Sequence, residues 1–450
     1  MSSPTENTAD STSLLEENLL LPDSPVKKRS NVAEIWSWAR NWTEDGIGVA
    51  LAFILFTITS ITAQYGVDIS NSYAKDSQWP FGAVFIGLGV TIIAHRVLGK
   101  PCNIEAYCVV MVIAVVARAI GYYKDLANSG LSASLWAILI GILCRYLGLN
   151  LKDKGIFSGE FFVKIGVTLL AMDFTSIVTI GLPGLGVAWA DTLIVLTIGI
   201  FIAVKISGFD LKDAIVIAGA TSICGSSAAT ALSSSIHEKN YKDETARTII
   251  AIMGVFNSPL MPLMPLLKTI GHINPVVIGG WIGGSIDSTG QVTASAQMGG
   301  DKVLKSAIIV KMAQNILIGP LCLLFTAYFQ GSFQPNILIS KFPLFVIGFL
   351  ITSTITTIIL NTSTTEYISY DLKDLIINNT WCVSEWLTLI GFAVIGLEID
   401  IKSFFSKRNI AQQRILSVYL IIQCIDICTT FGWSYLMFYN KHINDDDSDE

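Results

Sequence analysis

The sequence predicts an all-α, polytopic membrane fold of about 10–13 transmembrane helices. Three observations carry that expectation. Charged residues make up only 14% of the chain and hydrophobic ones 52%, whereas a soluble domain is about a quarter charged. The mean hydropathy is +0.59. Apolar stretches of about 20 residues, the length that crosses a bilayer, recur along the chain. The net charge of −6 decides little, because the acidic residues gather at the two ends. No basic patch interleaved with aromatics is present, so nucleic acid is not an expected partner.

Residues 1–40 are polar and rich in Ser, Thr, Glu and Asn. Without the apolar core of a signal peptide they predict a disordered cytosolic tail. Asp10-Ser11-Thr12-Ser13-Leu14-Leu15 and Glu16-Glu17-Asn18-Leu19-Leu20-Leu21 fit the acidic dileucine pattern. In a cytosolic tail this resembles an endosomal or lysosomal sorting signal, read by sorting adaptors; a tail rich in Leu and Glu also produces it by chance. Lys27-Lys28-Arg29 and Arg40 precede the first span and put the N-terminus in the cytosol. A single transmembrane domain over 45–438 follows. Its candidate spans are 47–64, 80–97, 103–121, 131–147, 160–180, 188–206, 212–236, 245–269, 274–299, 304–329, 340–360, 381–397 and 411–438. Lys and Arg favour the cytosolic gaps, with a poor fit around 239–247 and 302–305. The fit improves if 212–236 and 274–299 are re-entrant, so these two are either full crossings or re-entrant pieces. The gap at 361–380 is predicted outside and holds two N-glycosylation sequons, Asn361-Thr362-Ser363 and Asn378-Asn379-Thr380. A third, Asn41-Trp42-Thr43, falls on the predicted cytosolic side. Residues 439–450 form an acidic tail.

The eight cysteines show neither a C-x-x-C pair nor zinc spacing, so no metal site and no cofactor is expected. Cys424 and Cys428, one helical turn apart, read as buried core residues.

The chemistry concentrates in three stretches. Residues 219–230, GATSICGSSAAT, place Thr221, Ser222, Cys224, Gly225, Ser226, Ser227 and Thr230 in the middle of a span. One reading is a face of small residues that lets helices touch. The other is a discontinuous helix whose freed N–H groups and serine hydroxyls bind a solute near the midplane, the helix N-terminus favouring an anion. Residues 279–300, GGWIGGSIDSTGQVTASAQMGG, bring Ser285, Asp287, Ser288, Thr289 and Gln291 into a predicted span. A charge at membrane depth costs about 2.5–3.5 kcal/mol and is normally turned inward. Asp287 and Thr289 thus suit a coupling ion, Na⁺ or H⁺, unless this stretch is a surface loop with Asp287 merely solvated. The next span carries Lys311, Gln314 and Asn315, with Lys311 and Asn315 on one helix face; an Asp287–Lys311 pair is the natural expectation. Arg118, Lys164, Asp173, Asp191, Glu385, Glu398, Asp400 and Asp426 lie mostly near predicted span ends and read as interfacial. Pro259, Pro262 and Pro265 are expected to kink or break their helix.

SGFDLKDAIVIAGATSICGSSAAT, WIGGSIDSTGQVTASA, IVKMAQNILIGP and GFAVIGLEIDIKSF, in that order, resemble the YeiH-type family of bacterial membrane proteins, described as sulfate exporters. The similarity covers roughly residues 155–435, and I-C-G-small-small, Ile223 to Ala228, is its most specific motif. The family looks like part of the inverted-repeat group that includes bile-acid/sodium symporters and sodium/proton antiporters. That resemblance implies two repeats of opposite orientation crossing with broken helices. The chain departs from the family at Asp287-Ser288, where a His-Glu pair is usual, at Gln314, where an Arg is usual, and at Glu398 and Asp400. A divalent anion would want that Arg.

The expected activity is secondary transport of a small inorganic or organic anion coupled to Na⁺ or H⁺. Cys224, Gly225, Ser226, Ser227, Ser285, Gln291, Lys311 and Asn315 are the substrate-binding candidates, and Asp287 and Thr289 the coupling-ion site. A Na⁺/H⁺-type cation exchanger and a non-transporting scaffold or receptor are the alternatives. No enzyme is expected, since His95, His237, His272 and His442 fall at predicted loops or ends, away from Cys224 and Ser226. The expected partners are the lipid bilayer, a small-molecule or ion substrate, sorting adaptors and a second copy in a homodimer. The expected location is an endosomal or lysosomal membrane or the plasma membrane.

Overall fold

A computed structural model describes residues 44–65, 81–99, 102–121, 132–150, 155–170, 174–237, 244–271, 273–331, 333, 335–361, 370–400, 402 and 410–439. The dileucine motifs, Asp173, His272, His442, the sequon at 41–43, most of the one at 361–363 and the acidic tail from 440 onward lie outside these residues. Residues from Trp42 onward form one compact unit.

Every described element is a helix or a connection. The chain runs α1 (Glu44–Gln64), α2 (Phe81–Leu98), α3 (Ile104–Gly121), α4 (Ala133–Tyr146), α5 (Gly159–Leu169) and α6 (Phe174–Phe201), which ends in a π turn over Ile202–Ile206. Next come α7 (Leu211–Gly219) with a π turn over Ala220–Cys224, α8 (Gly225–Ile236), α9 (Glu244–Gly271), α10 (Pro275–Ser285) and α11 (Thr289–Gly299). The remainder is α12 (Asp301–Ile316), α13 (Ile318–Gln330), α14 (Asn336–Ser340), α15 (Leu344–Asn361), α16 (Tyr370–Glu398) and α17 (Ile410–Phe438). Among the described residues, 9 candidate spans are long and apolar enough to cross a membrane, and two shorter apolar helices, Gly87–Leu98 and Ala133–Tyr146, accompany them. The protein is an all-α, multi-pass membrane protein.

Several boundaries differ from the sequence expectation. The predicted break between 180 and 188 is absent: α6 runs through Pro183. Within the gap predicted at 361–380, the described residues from Tyr370 onward are helical, so Asn378 lies on α16 rather than in a loop. Lys373 explains the extension, because its Nζ donates to the Leu360 carbonyl at 3.0 Å and ties the start of α16 to the end of α15. Cys424 and Cys428 are exposed on α17, not buried; a thiol is apolar enough to face lipid. The triple-proline helix α9 is continuous. Pro265 has no N–H for the carbonyl four residues back, and that carbonyl, Met261 O, accepts instead from Ser295 Oγ of α11 at 2.8 Å.

Two buried cores share the unit. One joins α1 to α5 and α16 with α10, α11 and α12. The other joins the end of α6 with α7, α8, the start of α9, α13 and the first half of α17. Small residues set the spacing in the first. Gly159 and Gly391 lie against each other across α5 and α16, and Gly166 lies against Thr388 and the Ser384 carbonyl. The two helices therefore run antiparallel, and the start of α5 sits at the end of α16. Asp45 pairs with Lys164 at 2.9 Å, which puts the start of α1 at that same end of the molecule.

Candidate functional site

Two helices are interrupted at depth. In the first, α7 and its π turn stop at Cys224, and α8 starts at Gly225 with φ 25° and ψ −106°. A side chain is strained in that conformation, so the glycine makes the break possible. In the second, α10 stops at Ser285 and Ile286 is extended (φ −88°, ψ 123°), as is Ser288 (φ −95°, ψ 132°), before α11 begins at Thr289. The two breaks touch: a Cβ on Gly225 would lie 3.6 Å from the Asp287 Cβ. Ile223 and Cys224 belong to one core and Ile286 to the other, so the cores meet here.

Breaking a helix frees carbonyls at the end of its first half, and in a bilayer each must find a partner inside the protein. Helix α12 supplies most of them. Lys311 Nζ donates to Ile223 O at 2.6 Å, to Ile286 O at 2.8 Å and to Gln314 Oε1 at 2.9 Å. Gln314 Nε2 donates to Gly284 O at 2.8 Å and approaches Ser222 O at 3.4 Å. Thr192 Oγ1 donates to Ser222 O at 3.1 Å and Gln423 Nε2 to Ser285 O at 2.8 Å. The Lys311 ammonium thus spends two of its three hydrogens at the negative ends of two half-helices, where a cation is favoured, and the third on Gln314 of its own helix. The expected Asp287–Lys311 ion pair does not form. Lys311 is a strap between the breaks because released carbonyls compete for its hydrogens at shorter range.

Asp287 is 2% exposed, which removes the surface-loop reading. Its Oδ2 accepts from Asn257 Nδ2 at 2.8 Å, and Tyr419 Oη lies 3.2 Å from both that oxygen and Asn257 Oδ1. Its Oδ1 has no hydrogen-bond partner. Asp287 lies on the wall of a cavity of about 870 Å³ that also touches Gly225, Ser226, Ser288, Gln291 and Glu160. The cavity reaches Arg145, Asp400 and Gln412 at the helix ends on the side where α1 starts, the predicted cytosolic side. Arg145 and Asp400 pair there at 2.8 Å.

The other predicted site residues divide. Gln291 Nε2 approaches Gly254 O at 3.4 Å on the cavity wall. Thr289 Oγ1 sits behind the break, 3.4 Å from both Cys224 Sγ and Asn315 Nδ2. Ser285 turns away, donating to Trp281 O at 2.7 Å. Ser227 is half-buried, with its carbonyl 3.4 Å from Thr230 Oγ1, and does not line the cavity.

Two features are absent from the sequence expectation. Glu160, in the first turn of α5, accepts from Ser226 Oγ at 2.8 Å and from Ser288 Oγ at 3.0 Å. Asp191, near the start of its predicted span, and Asp426, in the middle of its own, are both 0% exposed; Thr430 Oγ1 lies 2.7 Å from Asp191 Oδ2 and 3.4 Å from Asp426 Oδ1. Glu160 and Asp191 sit near the ends of predicted spans, where an acid is ordinarily interfacial, and nothing in their neighbours signals otherwise.

Residues 106–411 match the family model described as conserved hypothetical protein 698. The chain belongs to this family. Its members include UPF0324 membrane proteins. The chain is 30% identical to one from Rhodopirellula baltica over 83% of its own length and 73% of that protein. It is 30% identical to one from Nitratidesulfovibrio vulgaris over 79% of its own length, and spans 62% of that relative. It is also 26% identical to the UPF0324 membrane protein TauZ of Paracoccus denitrificans, over 65% of its own length and 86% of TauZ. The YeiH-type resemblance and this family are the same. No solved structure matches the chain.

Proposed function

We propose that this UPF0324 chain is a secondary-active transporter of a small anion, coupled to Na⁺ or H⁺ at Asp287. The observation that carries the reading is Asp287, a residue that lines a cavity ending at two broken helices and whose buried Oδ1 has no partner. An uncompensated charge at membrane depth marks an ion or proton site. Half-helix N-termini at such a break favour an anion. The crossing of the two breaks between two cores supports the inverted-repeat reading, in which one bundle rocks against the other. In this reading Gly225, Ser226 and Ser288 face the solute, and Lys311 holds the breaks together.

The Asp191–Thr430–Asp426 cluster favours one rival, a cation exchanger, because it adds a second buried acidic site. Flux in proteoliposomes separates the two. The anion reading expects uptake of a radiolabelled small anion to depend on a Na⁺ or H⁺ gradient in wild type and to lose that dependence in Asp287→Asn. Na⁺/H⁺ exchange without any anion movement would leave the rival standing instead.

A further inference from the structure

Two hydroxyls from two different broken helices each take one oxygen of the same carboxylate. Ser226, at the start of α8, bonds Glu160 Oε2, and Ser288, just before α11, bonds Glu160 Oε1. Helices α8 and α11 have 12 and 11 residues, and their first turns offer N–H groups and the positive end of a dipole. A carboxylate of this chain is already seated between them. Beside it stands Asp287, 2% exposed and with Oδ1 unpartnered. Glu160 comes from a third helix, α5, closely packed on α16, so it enters the site from outside both breaks, as a ligand would.

We propose that Glu160 is a tethered competitor: its carboxylate occupies the anion subsite in this state, and a free carboxylate binds by displacing it. This deepens, and rests on, the anion-transport reading. It names the ligand class as a small carboxylate, matched to two hydroxyls spaced for its two oxygens. The charged and titratable groups around the subsite are Arg145 on α4, Cys224 at the first break, Arg247 on α9, Asp287 between α10 and α11, Lys311 on α12, and Glu398 and Asp400 at the end of α16, with Lys164 on Glu160's own helix. Lys164 is engaged by Asp45 and Arg145 by Asp400. Glu398 Oε1 accepts from Gly159 N at 3.2 Å and so steadies the helix that delivers Glu160.

A site filled by its own chain shows a weakened apparent affinity, by the fraction of time it is vacant. If Glu160 is withdrawn for only about 1–10% of the time, removing it tightens binding about ten- to a hundredfold. The experiment is acetate binding, by calorimetry on the purified full-length chain at neutral pH, with chloride as the ionic-strength control. Glu160→Ala and Glu160→Gln are compared with wild type, the glutamine keeping the bulk should alanine fail to fold. Expected is acetate binding tightened in both variants, most in Glu160→Ala, and lost again when Ser226→Ala and Ser288→Ala are added. Equal acetate affinity in wild type and both variants overturns the proposal, as does tight binding that survives loss of the two serines. Acetate binding needs no flux, so the two readings fail separately. Tightened binding without transport in proteoliposomes keeps the subsite and sinks the transporter. Transport with an acetate affinity that ignores Glu160 does the reverse.

Discussion

Lys311 shows how a buried charge is held without a counter-carboxylate. Its three hydrogens have three acceptors within 2.9 Å, two of them carbonyls that the helix breaks set free. Lys311→Met would leave Ile223 O and Ile286 O unpartnered in a dry interior. Each such loss costs about 1–3 kcal/mol, so the variant is expected to melt well below wild type in a detergent thermal-unfolding assay; an unchanged midpoint would remove the strap. Two glycines nearby matter for different reasons. Gly225 has room for a Cβ, with nothing closer than 3.6 Å, but a φ of +25°, so Gly225→Ala costs about 1–3 kcal/mol through the backbone alone. Gly283 has ordinary helical geometry, but a Cβ there would run into the Ala307 carbonyl of α12. Asp287, Lys311 and Gly225 were legible in the sequence because a charge or a flexible residue inside an apolar run is expensive and so stands out. The partner of Lys311 was not. Which carbonyls a break releases depends on where the helix stops, and the composition of GATSICGSSAAT does not say whether it stops at all.

At the scale of the element, α9 is continuous through three prolines, and at Pro265 a neighbour replaces what the proline lacks. Ser295 Oγ donates to Met261 O at 2.8 Å, the carbonyl that residue 265 would satisfy if it had an N–H. Ser295→Ala is expected to destabilise the protein by about 0.5–1.5 kcal/mol. Pro265→Ala in that background should recover part of the loss, since the new N–H serves the same carbonyl. A double-mutant cycle read by thermal unfolding checks it: additive effects would mean that the serine and the proline do not share the carbonyl. The all-α, multi-pass character was readable from hydropathy, the number of spans was not, since 9 candidate spans among the described residues stand where thirteen were expected, and both broken spans were flagged by their small residues. The continuity of α9 and the early start of α16 were not readable. Each rests on a contact between distant stretches, Ser295 with Met261 and Lys373 with Leu360, and single-segment patterns carry no such information.

At the scale of the molecule, the breaks put a cation-type group and an anion-type subsite on adjacent residues, Asp287 and Ser288, where two cores meet. In the transporter reading these sites are linked. An anion seated between Ser226 and Ser288 is repelled by an ionised Asp287 and is not repelled once that carboxylate holds a proton or Na⁺. Linkage is reciprocal, so the cation must raise anion affinity by the factor by which the anion raises cation affinity, ordinarily about 5–150-fold. The sign is set by the charge: acetate affinity should rise as pH falls through the range in which Asp287 takes up its proton, or as Na⁺ is added at fixed pH. Glu160→Ala is the background for the measurement, because it removes the tethered carboxylate and leaves Asp287 as the acid next in chain to Ser288 of the subsite. In that background Asp287→Asn, neutral throughout, should bind acetate more tightly at neutral pH and respond to pH and Na⁺ far less than the Asp287-containing protein, with only the more distant Glu398 and Asp400 left to titrate. Calorimetric titrations of acetate across pH and Na⁺, with and without Asp287→Asn, decide the matter. An acetate affinity in the Asp287-containing protein as flat as in the asparagine variant would uncouple the two sites and leave the cavity a binding site without a drive.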